Sequence, residues 1–197
     1  MNEKDKLIVK DSLDVVVSSI PGLNIAWGLS KALIGAGLKL RQQKALEWVE
    51  MVKNNPDVFV VELLQTEAFQ DGFVYALEKY LTERNENKRR YARKIFLDFS
   101  SSKNIDDYPL ERFYGVLEEL SGVDIETLKD VDWNRENNSN YQVYGADEKN
   151  IDNLFHLVNL DLLRLNDTPR MIRDGSGAPF VKPTEFGKQF CQFIADD

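Results

Sequence analysis

Apolar residues recur every three or four positions through most of this chain, a spacing that predicts amphipathic helices. A long run from Asn24 to about Asn54 keeps apolar side chains on one helical face for about eight turns. Further helices are predicted over Glu67–Thr82, Asn85–Phe99 and Leu110–Leu120. A short connector joins the first two of these, which indicates antiparallel neighbours. The pattern therefore predicts a helical bundle over residues 1–131.

Local signals set the remaining boundaries of this bundle. Leu7–Ser19 fits a helix or a strand fragment, and Pro21-Gly22 ends it. Asn55-Pro56 predicts the start of a short helix that runs to about Leu64, with Asn55 as its cap. Ser121-Gly122 is expected to end the helix before it, and Asp124 to cap a single turn. The polar, asparagine-rich stretch 132–145 predicts a linker.

The last quarter of the chain changes pattern. Asn150–Leu165 predicts a helix, and Thr168–Pro183 predicts two short strands joined by a glycine turn. Thr184 is placed to cap a final helix. Apolar residues expected to face the core of this module are Ile151, Leu154, Phe155, Val158, Leu162, Met171, Ile172, Phe180, Val181, Phe186, Phe190, Phe193 and Ile194.

This order, together with the threonine, any, aromatic, glycine element at Thr184–Gly187, resembles the back half of a winged-helix domain. It is also similar to a segment of some helical phage-exclusion proteins of bacteria. The resemblance covers residues 150–197 and implies a winged-helix-like αββα cassette over 146–197. The preceding region resembles helical bacterial proteins without an assigned role.

Charge disfavours DNA as the partner of this module. The chain has a net charge of −8, and residues 145–197 hold 6 basic and 9 acidic side chains. Nucleic acids carry dense negative charge and bind cationic surfaces. An acidic module therefore lacks the basic surface that is typical of a DNA-binding domain. The predicted groove-facing helix offers only Lys149 as a cation. Protein docking or self-association is therefore the preferred expectation, and nucleic-acid binding the alternative.

Two groups of basic residues are candidates for contact with phosphate or nucleic acid. One group surrounds Tyr91 in an otherwise acidic central region, and the other lies on the predicted wing. A solvated helix face, paired with Glu83, Glu86 or Asp98, is the alternative explanation of the first group. The candidate residues are Lys88, Arg89, Arg90, Arg93, Lys94, Arg170 and Arg173.

The segment 13–38 is rich in apolar and small residues. Gly28, Ala32 and Ala36 are spaced to let two helices approach closely, as in a membrane-active hairpin. A core helix in water explains the same residues, and Lys31 and the amphipathic continuation favour it. Membrane-surface association through this segment is therefore a second alternative.

The chain holds few groups suited to catalysis. His156 is the sole histidine and lies on an apolar helix, where a core or boundary imidazole is the ordinary expectation. Cys191 is the sole cysteine, so no intramolecular disulfide forms and a zinc site lacks ligands. Adjacent carboxylates such as Asp106-Asp107 and Glu118-Glu119 point about 100° apart on a helix. We predict no catalytic residue, no metal site and no cofactor.

These patterns predict a mainly α, cytoplasmic and non-enzymatic protein, and the resemblance implies one of bacterial or phage type. No secretory signal is predicted at the N-terminus. The expected function is that of a defence or regulatory adaptor that acts through protein-protein contacts. A DNA-binding transcriptional regulator and a membrane-associated effector are the alternatives.

Overall fold

Seven α-helices and one two-stranded antiparallel sheet form the part of the chain that the computed structural model describes, residues 39–59, 62–130, 148–165 and 181–195. The mainly helical class predicted from the periodicity is thereby confirmed. The chain divides into two compact units, Met1–Leu117 and Glu118–Asp197. The predicted domain boundaries stay predictions, because the loop 132–145 lies outside the described residues.

The first unit contains four helices and a short 3-10 turn. These elements are α1 (Lys39–Asn54), the 3-10 turn (Pro56–Val58), α2 (Glu67–Thr82), α3 (Glu86–Ser101) and α4 (Leu110–Glu119), and the division between the units falls within the last turn of α4. Helices α1 and α2, and then α2 and α3, pack against each other.

Side-chain caps fix the starts of α2 and α3. The Oγ1 of Thr66 accepts a hydrogen bond from the N–H of Phe69, and the Oδ1 of Asn85 accepts from the second and third N–H groups beyond it. These caps satisfy donors that a helix leaves without intrahelical partners. The predicted boundaries of both helices are therefore confirmed to within two residues.

Aromatic rings fill the core of the first unit. The indole of Trp48 is fully buried and lies 4.6 Å from the ring of Phe96, 5.2 Å from Tyr80 and 6.1 Å from Phe73, measured between centroids. Rings at these separations attract through their edges and faces in addition to the area that they bury. Three helices thus share one aromatic cluster.

The residues after α1 depart from the prediction. Asn55 does not cap a helix, because its Nδ2 donates back to the carbonyl of Met51 at 2.8 Å. The described residues that follow form the 3-10 turn Pro56–Val58 and, over 62–66, turns rather than helix. The expected short helix to Leu64 was wrong, since the side chain that was to start it instead completes the end of α1.

Ser121 begins a helix instead of only ending one. The N–H of Ser121 donates to Asp124 Oδ2 at 2.7 Å, and the N–H of Asp124 donates to Ser121 Oγ at 3.2 Å. This reciprocal pair is a capping box. It starts α5 (Gly122–Asp130), which is 9 residues long and not the single turn that was predicted.

The second unit continues through α6 (Glu148–Asn159), β1 (Leu163–Leu165), β2 (Val181–Pro183) and α7 (Glu185–Ile194). Within this unit α5 packs against α6 and α7. In the sheet, Arg164 lies directly opposite Lys182. Buried apolar side chains of α6, its connection to β1, the sheet and α7 are those of Leu154, Leu157, Leu162, Leu163, Val181, Phe186, Phe190, Cys191, Phe193 and Ile194.

Helix α6 ends earlier than the predicted Leu165. Asp161 adopts a left-handed φ of 57°, its N–H donates to the carbonyl of Val158, and the N–H of Leu162 donates to that of Leu157. This arrangement is the Schellman motif, which terminates helices. The chain then enters β1, so residues expected at the end of a helix form a strand.

The element Thr184–Gly187 starts the last helix of the second unit, as predicted from the sequence. The Oγ1 of Thr184 accepts from the N–H of Gly187 at 2.8 Å, which confirms Thr184 as the cap of α7, and donates to the carbonyl of Asp161. A Cβ at Gly187 would stand 2.0 Å from the carbonyl oxygen of Leu162. Glycine is therefore required where α7 meets the chain between α6 and β1.

Several predictions concern residues outside the described ranges. They are the element over Leu7–Ser19, the first part of the helix from Asn24, the apolar segment 13–38, and the wing residues Met171, Ile172 and Phe180. The winged-helix resemblance itself stays a prediction. Among the helices that the structure describes, none combines the length and the apolar character that crossing a bilayer requires.

Candidate binding site

A pocket of about 560 Å³ lies in the first unit between α2, the end of α3 and the start of α4. Its buried lining is apolar and comes from Gly72, Phe99, Ile105 and Leu110. The volume is within the range of small-ligand and side-chain pockets, about 300–1,000 Å³. We call it the acidic pocket, and its lining is completed by Ala68, Asp71, Tyr75, Asp106, Tyr108, Pro109, Glu111 and Arg112.

Two half-buried tyrosines stand in the wall of the acidic pocket, and both are held by neighbours. The hydroxyl of Tyr108 donates to a carboxylate oxygen of Asp98 at 2.6 Å, and its ring lies edge-on to Phe99 at 5.5 Å. Burial and this hydrogen bond raise the pKa of Tyr108. The ring of Tyr75 lies edge-on to Tyr114 at 5.7 Å. Both rings are thus positioned before any ligand arrives.

Carboxylates dominate the exposed part of this lining. Asp71 lies on α2, Asp106 in the connection between α3 and α4, and Glu111 in the first turn of α4, and all three are exposed. Among the described lining residues, Arg112 is the one cation. The rim therefore carries a formal charge of −2, which favours a cationic ligand.

Gly72 allows α2 to approach the other two helices at this point. A Cβ built on Gly72 would stand 2.4 Å from a ring carbon of Phe99 and 3.1 Å from a methyl of Leu110. Any larger residue would displace these two side chains, which themselves line the acidic pocket. The shape of the pocket therefore depends on the absence of a side chain at Gly72.

Backbone and side-chain hydrogen bonds order the connection between α3 and α4. The N–H of Tyr108 donates to the carbonyl of Ile105 at 3.1 Å, and the Nδ2 of Asn104 donates to Asp107 at 2.5 Å. These bonds hold the residues on both sides of Asp106. An ordered rim lowers the entropy that a ligand must remove on binding.

The predicted basic run lies on α3, where Arg89 faces α1. The Nε of Arg89 is 3.9 Å from a carboxylate oxygen of Glu47, and its Nη1 donates to the carbonyl of Arg84 at 3.2 Å. Only 15% of the Arg89 side chain is exposed. Glu47 lies far away in sequence, so this partner could not be read from spacing along one helix.

Two further arginines of the run lie over tyrosine rings. The guanidinium carbon of Arg90 is 5.3 Å from the ring centroid of Tyr91, and that of Arg93 is 6.0 Å from that of Tyr80. The hydroxyl of Tyr80 donates to Glu47 at 2.8 Å, and burial with this bond raises the pKa of Tyr80 to about 12.

Four other residues were predicted to contact phosphate or nucleic acid, two of them on α3. Lys88 and Lys94 are half-buried on α3. Arg170 and Arg173 lie outside the described residues. In the second unit, Arg164 on β1 is exposed and lies opposite Lys182 on β2, a pair that sequence reasoning did not single out. Much of the run on α3 therefore serves contacts within the first unit.

His156 contacts a buried carboxylate in the second unit. Its Nδ1 lies 3.3 Å from Asp124 Oδ2, and the Asp124 side chain is 2% exposed. Among the described residues, the other oxygen of Asp124 has no hydrogen-bond partner. A carboxylate can orient an imidazole in this way, but a base also needs a reacting group within hydrogen-bond reach. The contact links α5 to α6.

Other side chains that could act as nucleophiles or metal ligands are buried or form hydrogen bonds within the fold. Cys191 is buried, which raises the pKa of its thiol and keeps it protonated. The hydroxyl of Ser100 donates to the carbonyl of Phe96 at 2.8 Å. Within the described ranges, no group of three or more His, Cys, Asp or Glu side chains is placed to hold a metal ion.

Comparison with protein-family models, with curated proteins and with solved structures finds no match for this chain.

Sequence reasoning missed the acidic pocket because its members lie on different elements. It treated Asp106 and Asp107 as adjacent carboxylates that do not share one site, and both are exposed. It could not place Asp106 beside Asp71, which precedes it by more than thirty residues. Gly72, inside a helix otherwise rich in aromatic residues, was the available signal, since an interior glycine often marks a close approach.

Proposed function

We propose that this chain is a non-enzymatic interaction protein that captures a positively charged segment of a partner protein in the acidic pocket. The observation that carries the proposal is the combination of an apolar, partly tyrosine-lined cavity with a rim of exposed carboxylates. The regulatory or defence role implied by the resemblance would be exerted through the partner that is recruited.

Charge complementarity supports this partner class. Residues 55–144 hold 11 basic and 18 acidic side chains, and several of the basic ones contact the first unit itself. A cationic segment is attracted to such a surface, and the attraction raises its rate of association at low salt. The apolar lining adds affinity that salt does not screen.

Fluorescence anisotropy with short labelled peptides tests the proposal. The probe is an acetylated and amidated peptide with several arginines and a leucine in a glycine-serine background, and its glutamate counterpart is the negative control. The double variant Asp71→Arg/Glu111→Arg is expected to weaken binding of the basic peptide by about tenfold or more, because two attractive charges become repulsive.

A matched variant separates the acidic pocket from net charge. Glu50→Arg/Glu78→Arg makes the same change in charge at exposed sites of the same unit that do not line the acidic pocket. We expect it to change affinity by less than about threefold at moderate salt. Equal losses in both double variants, or equal binding of the acidic peptide, would show that the acidic pocket is not the site.

The sheet of the second unit favours nucleic acid as a second candidate partner. Arg164 and Lys182 are directly opposite, and the residues beside them, Leu163 and Val181, are buried. Because side chains alternate across a strand, both cations lie on the outward face. Like charges in direct opposition destabilise a sheet, and a phosphate between them would remove that repulsion.

Salt-dependent binding of duplex DNA tests this second candidate. Arg164→Glu/Lys182→Glu is expected to weaken DNA binding and to reduce the slope of log affinity against log salt. Tight DNA binding that the double variant leaves unchanged would exclude the sheet as the contact surface.

A further inference from the structure

We infer that the partner segment anchors in the acidic pocket through an arginine side chain, an inference that rests on the proposed function. The acidic pocket offers two kinds of surface to a ligand, a buried apolar lining and an exposed carboxylate rim. An arginine matches both, because its methylene stem is apolar and its head is cationic.

The buried lining selects against short polar anchors. Phe99, Ile105 and Leu110 are each less than 7% exposed and offer only carbon atoms to a ligand. A side chain that enters must therefore bring an apolar surface, because an unpaired polar group would lose its hydration without compensation. Arginine, lysine and the large apolar residues meet this condition.

The rim selects against a purely apolar anchor. Asp71, Asp106 and Glu111 line the pocket and are exposed, and an apolar ligand that covered them would remove their hydration without replacing it. A cation instead forms charge-assisted hydrogen bonds with them. The carboxylate rim therefore favours arginine and lysine over leucine or phenylalanine.

The aromatic wall distinguishes the two cations. The Nζ of Lys79 already lies 5.5 Å from the ring centroid of Tyr75, so we assign Tyr108 as the ring on which the ligand stacks. Its hydroxyl is held by Asp98, which fixes the ring. A planar guanidinium stacks on such a ring and presents a fork to carboxylates, whereas an ammonium is a more strongly hydrated point charge.

A peptide series that varies only the cationic residue tests this inference. The basic peptide described above is compared with versions that carry lysine, citrulline or norleucine in place of every arginine. We expect the lysine version to bind about threefold more weakly than the arginine version. The citrulline version should bind more weakly by about tenfold or more, because citrulline keeps the shape of arginine and loses its charge.

Variants of Tyr108 connect the preference to the ring. Tyr108→Leu removes the ring and is expected to abolish the preference for arginine over lysine, whereas Tyr108→Phe keeps the ring and the preference. Asp106→Asn, an exposed substitution in the same connection, should weaken both basic peptides similarly. Far-ultraviolet circular dichroism of each variant establishes that the helices remain.

The outcomes separate this inference from the proposed function. Equal binding of the lysine and arginine versions, or full binding of the norleucine version, would overturn the arginine anchor while leaving capture of a segment in the acidic pocket intact. Failure of every peptide to bind the folded wild-type protein would instead overturn the proposed function, and the anchor with it.

Discussion

At the scale of single residues, two glycines of this chain occupy opposite environments. Gly187 lies where α7 meets the carbonyl of Leu162, and a Cβ there would approach that oxygen to 2.0 Å. Gly115 lies within α4, and a Cβ there would meet nothing within 4 Å. Because backbone cannot move aside as a flexible side chain can, only the first glycine is required by packing.

Alanine substitutions at these glycines should change stability with opposite signs. We expect Gly187→Ala to lower the free energy of unfolding by about 1–3 kcal/mol through overpacking. Gly115→Ala should raise it by about 0.5–1 kcal/mol, because alanine loses less backbone freedom in a helix. Urea unfolding followed by circular dichroism measures both. A neutral Gly187→Ala would contradict the close approach at Leu162.

Two buried tyrosines, Tyr80 and Tyr114, and the half-buried Tyr108 should link stability to alkaline pH. Burial and a hydrogen bond to Glu47 raise the pKa of Tyr80 to about 12, and burial likewise raises the pKa of Tyr108 and Tyr114. Since the unfolded pKa is about 10, their contribution is complete below that pH and is lost as the pH rises toward the folded pKa.

We therefore expect the free energy of unfolding to fall as the pH rises above about 10, with part of the phenolate absorbance appearing only on unfolding. The measurement is an ultraviolet titration in parallel with circular dichroism. Tyr80→Phe should reduce the pH dependence. Ionisation of all seven tyrosines near their ordinary pKa, with the helices intact, would contradict the burial of these hydroxyls.

At the scale of elements, a buried lysine joins the end of one helix to the side of another. The Nζ of Lys44 on α1 donates to the carbonyls of Leu81 at 2.9 Å and Glu83 at 2.6 Å, at the end of α2. Burial, and then the nearby charge of Arg89, lower the pKa of Lys44. The two hydrogen bonds offset part of this desolvation, and a cation at a helix C-terminus is favoured.

Replacing this lysine should weaken the junction of α1 and α2. Lys44→Met keeps the length of the side chain and leaves both carbonyls without their donor, so we expect a loss of about 1–3 kcal/mol in the free energy of unfolding. Lys53→Met, at an exposed position of the same helix, is the control and should change stability by less than about 0.5 kcal/mol. Equal effects would show that the Lys44 bonds contribute nothing.

The elements also show which signals a sequence carries. The bounds of α2 and α3 were predictable because Thr66 and Asn85 cap them locally and their apolar residues are strictly periodic. The end of α6 was not, since a left-handed Asp161 stops the helix although apolar residues continue. The prediction that Asn55 starts a helix was wrong because its side chain bonds to a carbonyl of the preceding helix.

At the scale of the whole chain, the candidate site depends on contacts that a sequence does not display. The acidic pocket gathers residues from α2, α3, α4 and a connection, and the pairing of Arg89 with Glu47 joins α3 to α1. The sequence showed an acidic central region with one basic run. In the fold, three arginines of that run contact Glu47, Tyr91 and Tyr80 of the first unit, and the residues that line the acidic pocket carry a net negative charge.

The most direct test of this account is a titration of the isotopically labelled full chain with the arginine peptide, followed by amide ¹H–¹⁵N correlation spectra. We expect the largest shift changes at residues of the acidic pocket, particularly Gly72, Asp106 and Tyr108, and their loss in the Asp71→Arg/Glu111→Arg variant. Changes centred on the basic residues of α3 or on the sheet, with the acidic pocket unaffected, would contradict the proposal.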